Sequence, residues 1–179
     1  MEKKYWLMKT EPETFSFDDL VARPHRTEHW DGVRNYQARN FMRDLFQLGD
    51  EVFIYHSSTA EPAIVGVARV VRTAYPDPSA LNPESPYFDP TSLKQGASRW
   101  VMVDVQAQQR FSKPVTLKRL KQEEALQAMA LLRPGQRLSI QPITSEEWAY
   151  ISSLETLCSL DKDLACEARD LKSQAELQF

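Results

Sequence analysis

Three apolar runs after residue 50 are typical of β-strands, and no helical pattern separates them. They are EVFIYHS (Glu51–Ser57), PAIVGVARVVR (Pro62–Arg72) and RWVMVDVQAQQRF (Arg99–Phe111). Their β-branched and aromatic residues favour an extended chain. Parallel neighbouring strands need a long crossover, usually a helix, between them. The short TAEP segment between the first two runs therefore predicts an antiparallel hairpin, and the pattern excludes a doubly wound α/β sheet.

Shorter elements surround these strands. Ser16 and Asp19 have the spacing of a capping box ahead of a short helix, and Gly66 marks a bulge or a close backbone approach. The proline-rich stretch from Tyr75 to Gly96 predicts a long loop. The other predicted elements are strands at Lys4–Thr10 and Gly135–Ile143, a loop at His25–Asp31, and helices at Tyr36–Phe46, Thr116–Leu132 and Thr144–Ile151. The sequence therefore predicts an α+β fold, a small mixed β-barrel of about five strands with short helices at its corners.

The composition is that of a globular chain without a dedicated surface for polyanions. The 179 residues are 42% hydrophobic and 26% charged, with a formal net charge of −3, whereas dedicated nucleic-acid binders are usually basic. No apolar window reaches the ~18 residues of a membrane span, and the first residues contain no apolar signal region. The two cysteines suit a reducing compartment. We therefore expect a cytoplasmic protein that does not contact the membrane.

Sequence motifs for cofactors and metals are absent. There is no G-x-G-x-x-G, G-x-x-x-x-G-K-[ST], H-E-x-x-H, C-x-x-C or G-x-S-x-G. His25 and His29 have a zinc-like spacing, but Pro24 and the surrounding loop residues break the helix that would present both rings on one face. Cys158 and Cys166 have no histidine near them in the sequence to act as a base. We expect no cofactor and no metal site.

The segment HWDGVRNYQARN (His29–Asn40) holds more stacking and hydrogen-bonding side chains than a helix start requires. Trp30 and Tyr36 offer π faces, and Asn35 offers a donor and an acceptor that suit the edge of a nucleobase. Arg34 suits a phosphate or a stacked ring. Such groups hold a base that is flipped out of a nucleic-acid strand. In the alternative interpretation, Trp30 and Tyr36 are core aromatics and Asn35 caps the helix.

Seven stretches together resemble the EVE domain family of the PUA-like superfamily. In chain order they are YWLMKTEPE, WDGVRNYQARN, GDEVFIYHSS, IVGVARVV, YPDP, RWVMVDV and RPGQRLSIQPI. The resemblance extends from Tyr5 to about Ile151. It implies a PUA-like mixed β pseudo-barrel of about five to six strands, related to the YTH domains that bind N6-methyladenine in an aromatic pocket. The implied domain occupies residues 1–151, and residues 152–179 are then a C-terminal helical extension or tail.

The resemblance implies a non-catalytic nucleic-acid-binding module that reads a modified cytosine or adenine in DNA or RNA. Carried over by position, the implied base pocket consists of Thr10, Trp30, Gly32, Val33, Asn35, Tyr36, Tyr55, His56, Ser57, Leu138 and Ser139. The expected phosphate contacts are Lys9, Arg34, Arg39 and Arg43. In this hypothesis Trp30 stacks on the base, Gly32 lets the backbone approach it, and Asn35 reads its edge. Tyr36 either closes the pocket or anchors the helix beneath it.

Two other functions are compatible with the same sequence. A hydrolase acting on a modified nucleoside, as in ASCH-like members of the PUA-like superfamily, would use Lys9, Glu11 and His56 for acid–base chemistry. A protein-interaction module would instead use the acidic tail after Ile151. No motif specifies the base or the oligomeric state.

Overall fold

The computed structural model describes residues 3–154 and the backbone of residues 157–159. Its strands are β1 (Tyr5–Thr10), β2 (Thr27–Trp30), β3 (Glu51–His56), β4 (Ala63–Pro76), β5 (Val101–Thr116), β6 (Ile140–Ile143) and β7 (Leu157–Ser159). Its α-helices are α1 (Phe17–Ala22), α2 (Tyr36–Asp44), α3 (Pro90–Gln95), α4 (Leu117–Gln122) and α5 (Ser145–Leu154). Short 3-10 turns lie at Pro24–Arg26, Pro78–Leu81, Glu124–Leu126 and Ala130–Leu132. The predicted α+β class is confirmed.

The strands form one mixed sheet in the order β2-β5-β4-β3-β1-β6, with β7 also paired to β5. Only β1 and β3 are parallel among these pairs. Within the described residues the end strands β2 and β6 do not pair, so the sheet is not closed and the predicted barrel is wrong in this respect. Helix α2 contacts β4, β5 and β6 and fully buries Ala38 and Met42. Helical side chains, rather than strand pairing, therefore fill this side of the sheet.

Both faces of the central strands are buried. Trp6 and Met8 of β1 belong to one apolar core with residues of α1 and α2. Leu7, between them, belongs to a second core with Leu120 of α4 and Ile151 of α5. Successive side chains of a strand point to opposite faces, so a strand buried on both faces is a nearly continuous apolar run. This explains why the first predicted strand lacks polar alternation.

Several local predictions are confirmed. Ser16 and Asp19 form the capping box of α1, and β3 and β4 form the antiparallel hairpin. Gly66 lies at a change of register between β4 and β5, as expected for a bulge. Thr144 and Glu147 exchange hydrogen bonds of 3.0 and 3.1 Å at the start of α5.

Two predicted loops contain regular structure. The segment His25–Asp31 includes β2, because Thr27–Trp30 pairs with β5 from far along the chain. The proline-rich stretch includes a 3-10 turn and α3, with Pro78 and Pro90 at their starts. Proline is well tolerated in the first turn of a helix, where its missing N–H has no intrahelical partner. The prolines therefore begin these turns rather than exclude them.

Two other elements are shorter than predicted. The helix predicted at Thr116–Leu132 ends at Gln122 and continues as two 3-10 turns. The strand predicted from Gly135 begins only at Ile140. The predicted tail, residues 152–179, lies mostly outside the described residues and stays a prediction. No helix in the described part of the chain has the length and apolar content needed to cross a bilayer.

Candidate functional site

A cavity of about 940 Å³ lies where the sheet is left open. Its walls include β2 residues up to Trp30 and, opposite them, Ser139 directly before β6. The carboxyl ends of β1 and β3 contribute Lys9, Thr10 and Ser57. Binding pockets for small ligands typically measure about 300–1,000 Å³. The unclosed sheet therefore provides a space of the size that a nucleotide requires.

The structure brings together nine of the fifteen predicted site residues. The residues lining the cavity are Lys9, Thr10, Trp30, Gly32, Val33, Arg34, Asn35, Ser57 and Ser139. Val33 and the indole of Trp30 also belong to the apolar core on this face. Whether these residues bind a base stays a prediction, but their convergence on one cavity is a property of the fold.

Trp30 forms an aromatic wall at the end of β2. Its side chain is 9% exposed, and its ring meets Phe15 edge-to-face at a centroid distance of 6.2 Å. Phe15 also lines the cavity. Within the described residues the indole N–H of Trp30 makes no hydrogen bond. The wall thus combines a fixed π surface with an unused donor.

The loop after Trp30 is held against the proline-rich segment by one buried carboxylate. Asp77 is fully buried and accepts hydrogen bonds from Gly32 N at 3.0 Å and from Arg34 Nη1 at 2.7 Å. Burial raises the pKa of the Asp77 carboxyl, but hydrogen bonds from Ser79, Arg34 and Gly32 outweigh this and hold it below its usual value. Arg34 also donates to the Tyr87 carbonyl at 2.7 Å. Arg34 therefore lines the cavity with most of its donors already used.

Asn35 caps helix α2, as in the alternative interpretation, and keeps its side-chain NH₂ without a partner among the described residues. Its Oδ1 accepts hydrogen bonds from the backbone N–H groups of Gln37 at 2.9 Å and Ala38 at 3.1 Å, which caps α2. Its side-chain NH₂ makes no hydrogen bond among the described residues. The carbonyl side of the amide is thus committed to the helix, and the donor side remains available at the cavity.

Lys9 is a partly buried cation of the cavity. Its Nζ donates to the Gln136 carbonyl at 3.3 Å, and burial lowers the pKa of its ammonium. Within the described residues neither Lys9 nor the exposed Arg137 forms an ion pair, whereas Arg23 pairs with Glu28 at 2.7 Å. Lys9 and Arg137 are therefore the lining cations best placed to attract an anion.

Three predicted pocket residues lie outside the cavity because of strand alternation and packing. Tyr55 belongs to the core on the opposite face of the sheet, and Leu138 is buried in the core on the cavity side. His56 Nε2 accepts the backbone N–H of Phe17 at 3.0 Å, which fixes the start of α1, and burial lowers the pKa of its imidazole. Of the three side chains named for a hydrolase, Lys9 and Glu11 line the cavity, whereas His56 does not.

The other three predicted residues lie on α2. Tyr36 is half exposed and stacks on Trp100 at a centroid distance of 4.9 Å, which anchors the helix rather than closing the cavity. Arg39 lies 4.8 Å from the centre of the Tyr36 ring, and Arg43 pairs with its neighbour Asp44 at 2.7 Å. None of them lines the cavity.

Sequence reasoning missed several lining residues. Phe15, Asp31, Tyr87 and Arg137 all contribute to the walls. Asp31 and Arg137 stood inside stretches that carry the family resemblance, and the YPDP stretch contained the buried Asp77. Tyr87 had no local signal, because its role depends on a contact with Gly32 across the chain.

Gly32 is expected to be irreplaceable at this loop. Its φ is +72°, and a Cβ added there would lie 2.7 Å from the Tyr87 ring. Gly32→Ala should destabilise the fold by about 1–2 kcal/mol through the left-handed backbone, with a further cost because the ring must move. Gly96→Ala is the matched control, since Gly96 has a φ of +70° with no atom within 4 Å. Equal losses in thermal denaturation would contradict the contact with Tyr87.

An open mixed sheet with a polar and aromatic cavity at its unpaired ends defines the class of this protein as an α+β domain. Residues 4–154 match the family model of the EVE domain, and the chain belongs to the EVE domain family. It is 44% identical to mouse thymocyte nuclear protein 1 over 168 residues, 84% of this chain and 73% of the mouse protein. An uncharacterized protein of Schizosaccharomyces pombe is 40% identical over 166 residues, 86% of this chain and 69% of the yeast protein.

Solved structures agree with this assignment. The human THYN1 protein in complex with 5-methylcytosine-containing DNA matches with a TM-score of 0.80 and 43% identity, covering 85% of this chain and 97% of the human one. A Pseudomonas syringae protein matches with a TM-score of 0.78 and 46% identity, covering 84% of this chain and 98% of that one. The family predicted from the seven stretches is confirmed.

Proposed function

We propose that this chain is a non-catalytic module that binds DNA containing a modified cytosine, and that the modified base enters the cavity beside Trp30. The observation that carries the proposal is the combination of an aromatic wall with unused hydrogen-bonding groups at one opening. Trp30 and Phe15 supply the wall, and the Asn35 NH₂ supplies a donor. The complex of human THYN1 with DNA containing 5-methylcytosine supports the choice of nucleic acid and base.

The methyl group of the base is too small to explain selectivity by burial alone. Burying one methyl contributes about 0.8 kcal/mol, which is a factor of about four in affinity. Larger selectivity requires a polar edge that the wrong base leaves unpaired. Polar side chains therefore have to read the base, while the aromatic wall supplies affinity for any base that enters.

The electrostatic contribution to binding is expected to be small. The formal net charge is −3, and Arg23 and Arg34 are neutralised by acidic partners. Among the described residues, Lys9 and Arg137 are the two lining cations that form no ion pair. If each contacts one phosphate, a plot of the logarithm of affinity against the logarithm of salt concentration should have a slope of about −2. A shallow slope would distinguish this module from proteins that bind the DNA backbone over many phosphates.

Titration of labelled DNA tests the proposal. Fluorescence anisotropy with duplexes that carry one 5-methylcytosine, one cytosine or one N6-methyladenine, at low and physiological salt, should show a preference for 5-methylcytosine that salt does not change. Absolute affinities should fall with salt by the same factor for all probes, because phosphate contacts are common to them. Equal affinity for modified and unmodified duplexes would overturn the proposal. An RNA strand of the same sequence and the N6-methyladenine duplex test the other ligands named from the sequence.

The expected cytoplasmic location stays a prediction, since the mouse and human relatives are thymocyte nuclear proteins by name.

A further inference from the structure

One carboxylate in the cavity accepts no hydrogen bond from any other residue that the structure describes. The cavity is lined by Glu11, Glu28 and Asp31. Glu11 accepts a hydrogen bond from the Ser58 hydroxyl at 2.9 Å, and Glu28 forms an ion pair with Arg23 at 2.7 Å. Within the described residues, Asp31 accepts no hydrogen bond from another residue. It directly follows the aromatic wall residue Trp30 in the chain.

The surroundings of Asp31 make a free carboxylate costly. Burial and the nearby Asp77 carboxylate raise the pKa of Asp31, although His29, the Asp31 backbone N–H and Arg34 lower it in part. A half-buried charge whose only hydrogen-bond donor among the described residues is its own backbone N–H is unfavourable, and a further donor brought by a ligand would relieve that cost. The position therefore favours a ligand that presents an N–H group at this wall.

An N–H donor at this position distinguishes 5-methylcytosine from thymine. 5-Methylcytosine and thymine both carry a methyl group at C5, so an aromatic wall and a methyl-sized space accept both. They differ at C4, where cytosine has an NH₂ donor and thymine has a carbonyl acceptor, and at N3, which carries a hydrogen only in thymine. An aspartate accepts a hydrogen bond from the cytosine amine and repels the thymine oxygen. A reader of methylated cytosine in DNA has to make this distinction because thymine is abundant.

We propose that Asp31 is the residue that selects a base with an exocyclic amine and rejects thymine, by accepting a hydrogen bond from the amine at the cavity wall. This inference rests on the proposed function, because it assigns one specificity to the same cavity. Asp31 then recognises the group at position 4 of the base, and Trp30 stacks on the base.

The test compares two bases that share the C5 methyl group and differ at position 4 and at N3. Anisotropy titrations use single-stranded DNA with 5-methylcytosine or thymine at one position, because thymine opposite guanine in a duplex is a mismatch and flips out more easily. The wild-type protein should prefer 5-methylcytosine by about tenfold or more. Asp31→Asn should reduce this preference to within about threefold, chiefly by gaining thymine affinity, because an amide side chain rotates to offer either a donor or an acceptor. Asp31→Ala should lose affinity for 5-methylcytosine and gain thymine affinity by less than Asp31→Asn, because alanine removes the repulsion of the thymine oxygen but offers it no donor.

Glu124→Gln is the matched control. It removes the same charge from an exposed side chain in a 3-10 turn that does not line the cavity, and it should keep the wild-type preference. A wild-type preference for 5-methylcytosine over thymine that survives unchanged in both Asp31 variants would overturn this inference and leave the proposed function intact. A wild-type protein that binds methylated and unmodified DNA equally would overturn both. Thermal melts of each variant verify that the compared proteins are folded.

Discussion

Trp30→Leu is expected to weaken binding of 5-methylcytosine DNA by about 5- to 150-fold. Stacking of a base on an aromatic side chain contributes about 1–3 kcal/mol, and leucine keeps an apolar side chain without a π face. Trp30 is 9% exposed and belongs to the core, so alanine would also leave a large void and cost about 3–5 kcal/mol of stability. Leucine therefore separates loss of stacking from loss of the fold better than alanine does.

Two variants make the Trp30 result decisive. Trp30→Phe retains a π face and should keep most of the affinity. Trp148→Leu makes the same substitution in the core on the other face of the sheet, where Trp148 stacks on Phe53 at a centroid distance of 3.8 Å. It should lower the melting temperature and leave DNA affinity unchanged. If Trp30→Leu bound as tightly as the wild type in anisotropy titrations, Trp30 would be a core residue only.

Gly66→Ala is expected to be among the most destabilising single changes in the chain. A Cβ at Gly66 would lie 2.6 Å from the Gln109 carbonyl oxygen and 2.6 Å from the Phe17 ring. The carbonyl belongs to β5 and cannot rotate away without breaking the pairing of β4 and β5. Overpacking of a core typically costs about 1–3 kcal/mol. We expect a loss near 3 kcal/mol, which lowers the melting temperature by about 6–12 °C in a domain of this size.

Gly49→Ala provides the comparison for Gly66. Gly49 has a φ of +89° and no atom within 4 Å of an added Cβ, so its substitution costs only the left-handed backbone, about 1–2 kcal/mol. Calorimetry of the two variants should therefore show a larger loss for Gly66→Ala. A smaller loss at Gly66 than at Gly49 would mean that β4 and β5 separate easily at the bulge, against the close approach seen between them.

The capping boxes, the β3–β4 hairpin and the bulge at Gly66 followed from the sequence because each depends on neighbouring residues. A Ser16–Asp19 pair or a glycine inside a β-branched run has the same meaning in most folds. The short β2 and α3 do not follow from the sequence, because β2 exists only through its pairing with β5, and a proline such as Pro90 can either break a helix or begin one.

In the candidate site, too, some residues are predictable from local sequence and others depend on the tertiary structure. Trp30, Arg34 and Asn35 are predictable because they lie close together in a segment rich in stacking and hydrogen-bonding groups. The family resemblance also implies Tyr55 and His56 as pocket residues. Alternation along β3 buries the Tyr55 ring in the core on the opposite face, and His56 bonds to the start of α1.

The sequence by itself determined the α+β class, the family and the segment that forms the aromatic wall, since these depend on local patterns and on residues close together in the chain. Only the tertiary structure decided that the sheet stays open between β2 and β6 and that a cavity forms there. It also decided which charges are already paired. Arg34 is bound to the distant Asp77, whereas Asp31 accepts no hydrogen bond from another described residue. Such contacts join residues far apart in sequence, so side-chain availability is a property of the packed molecule rather than of any motif.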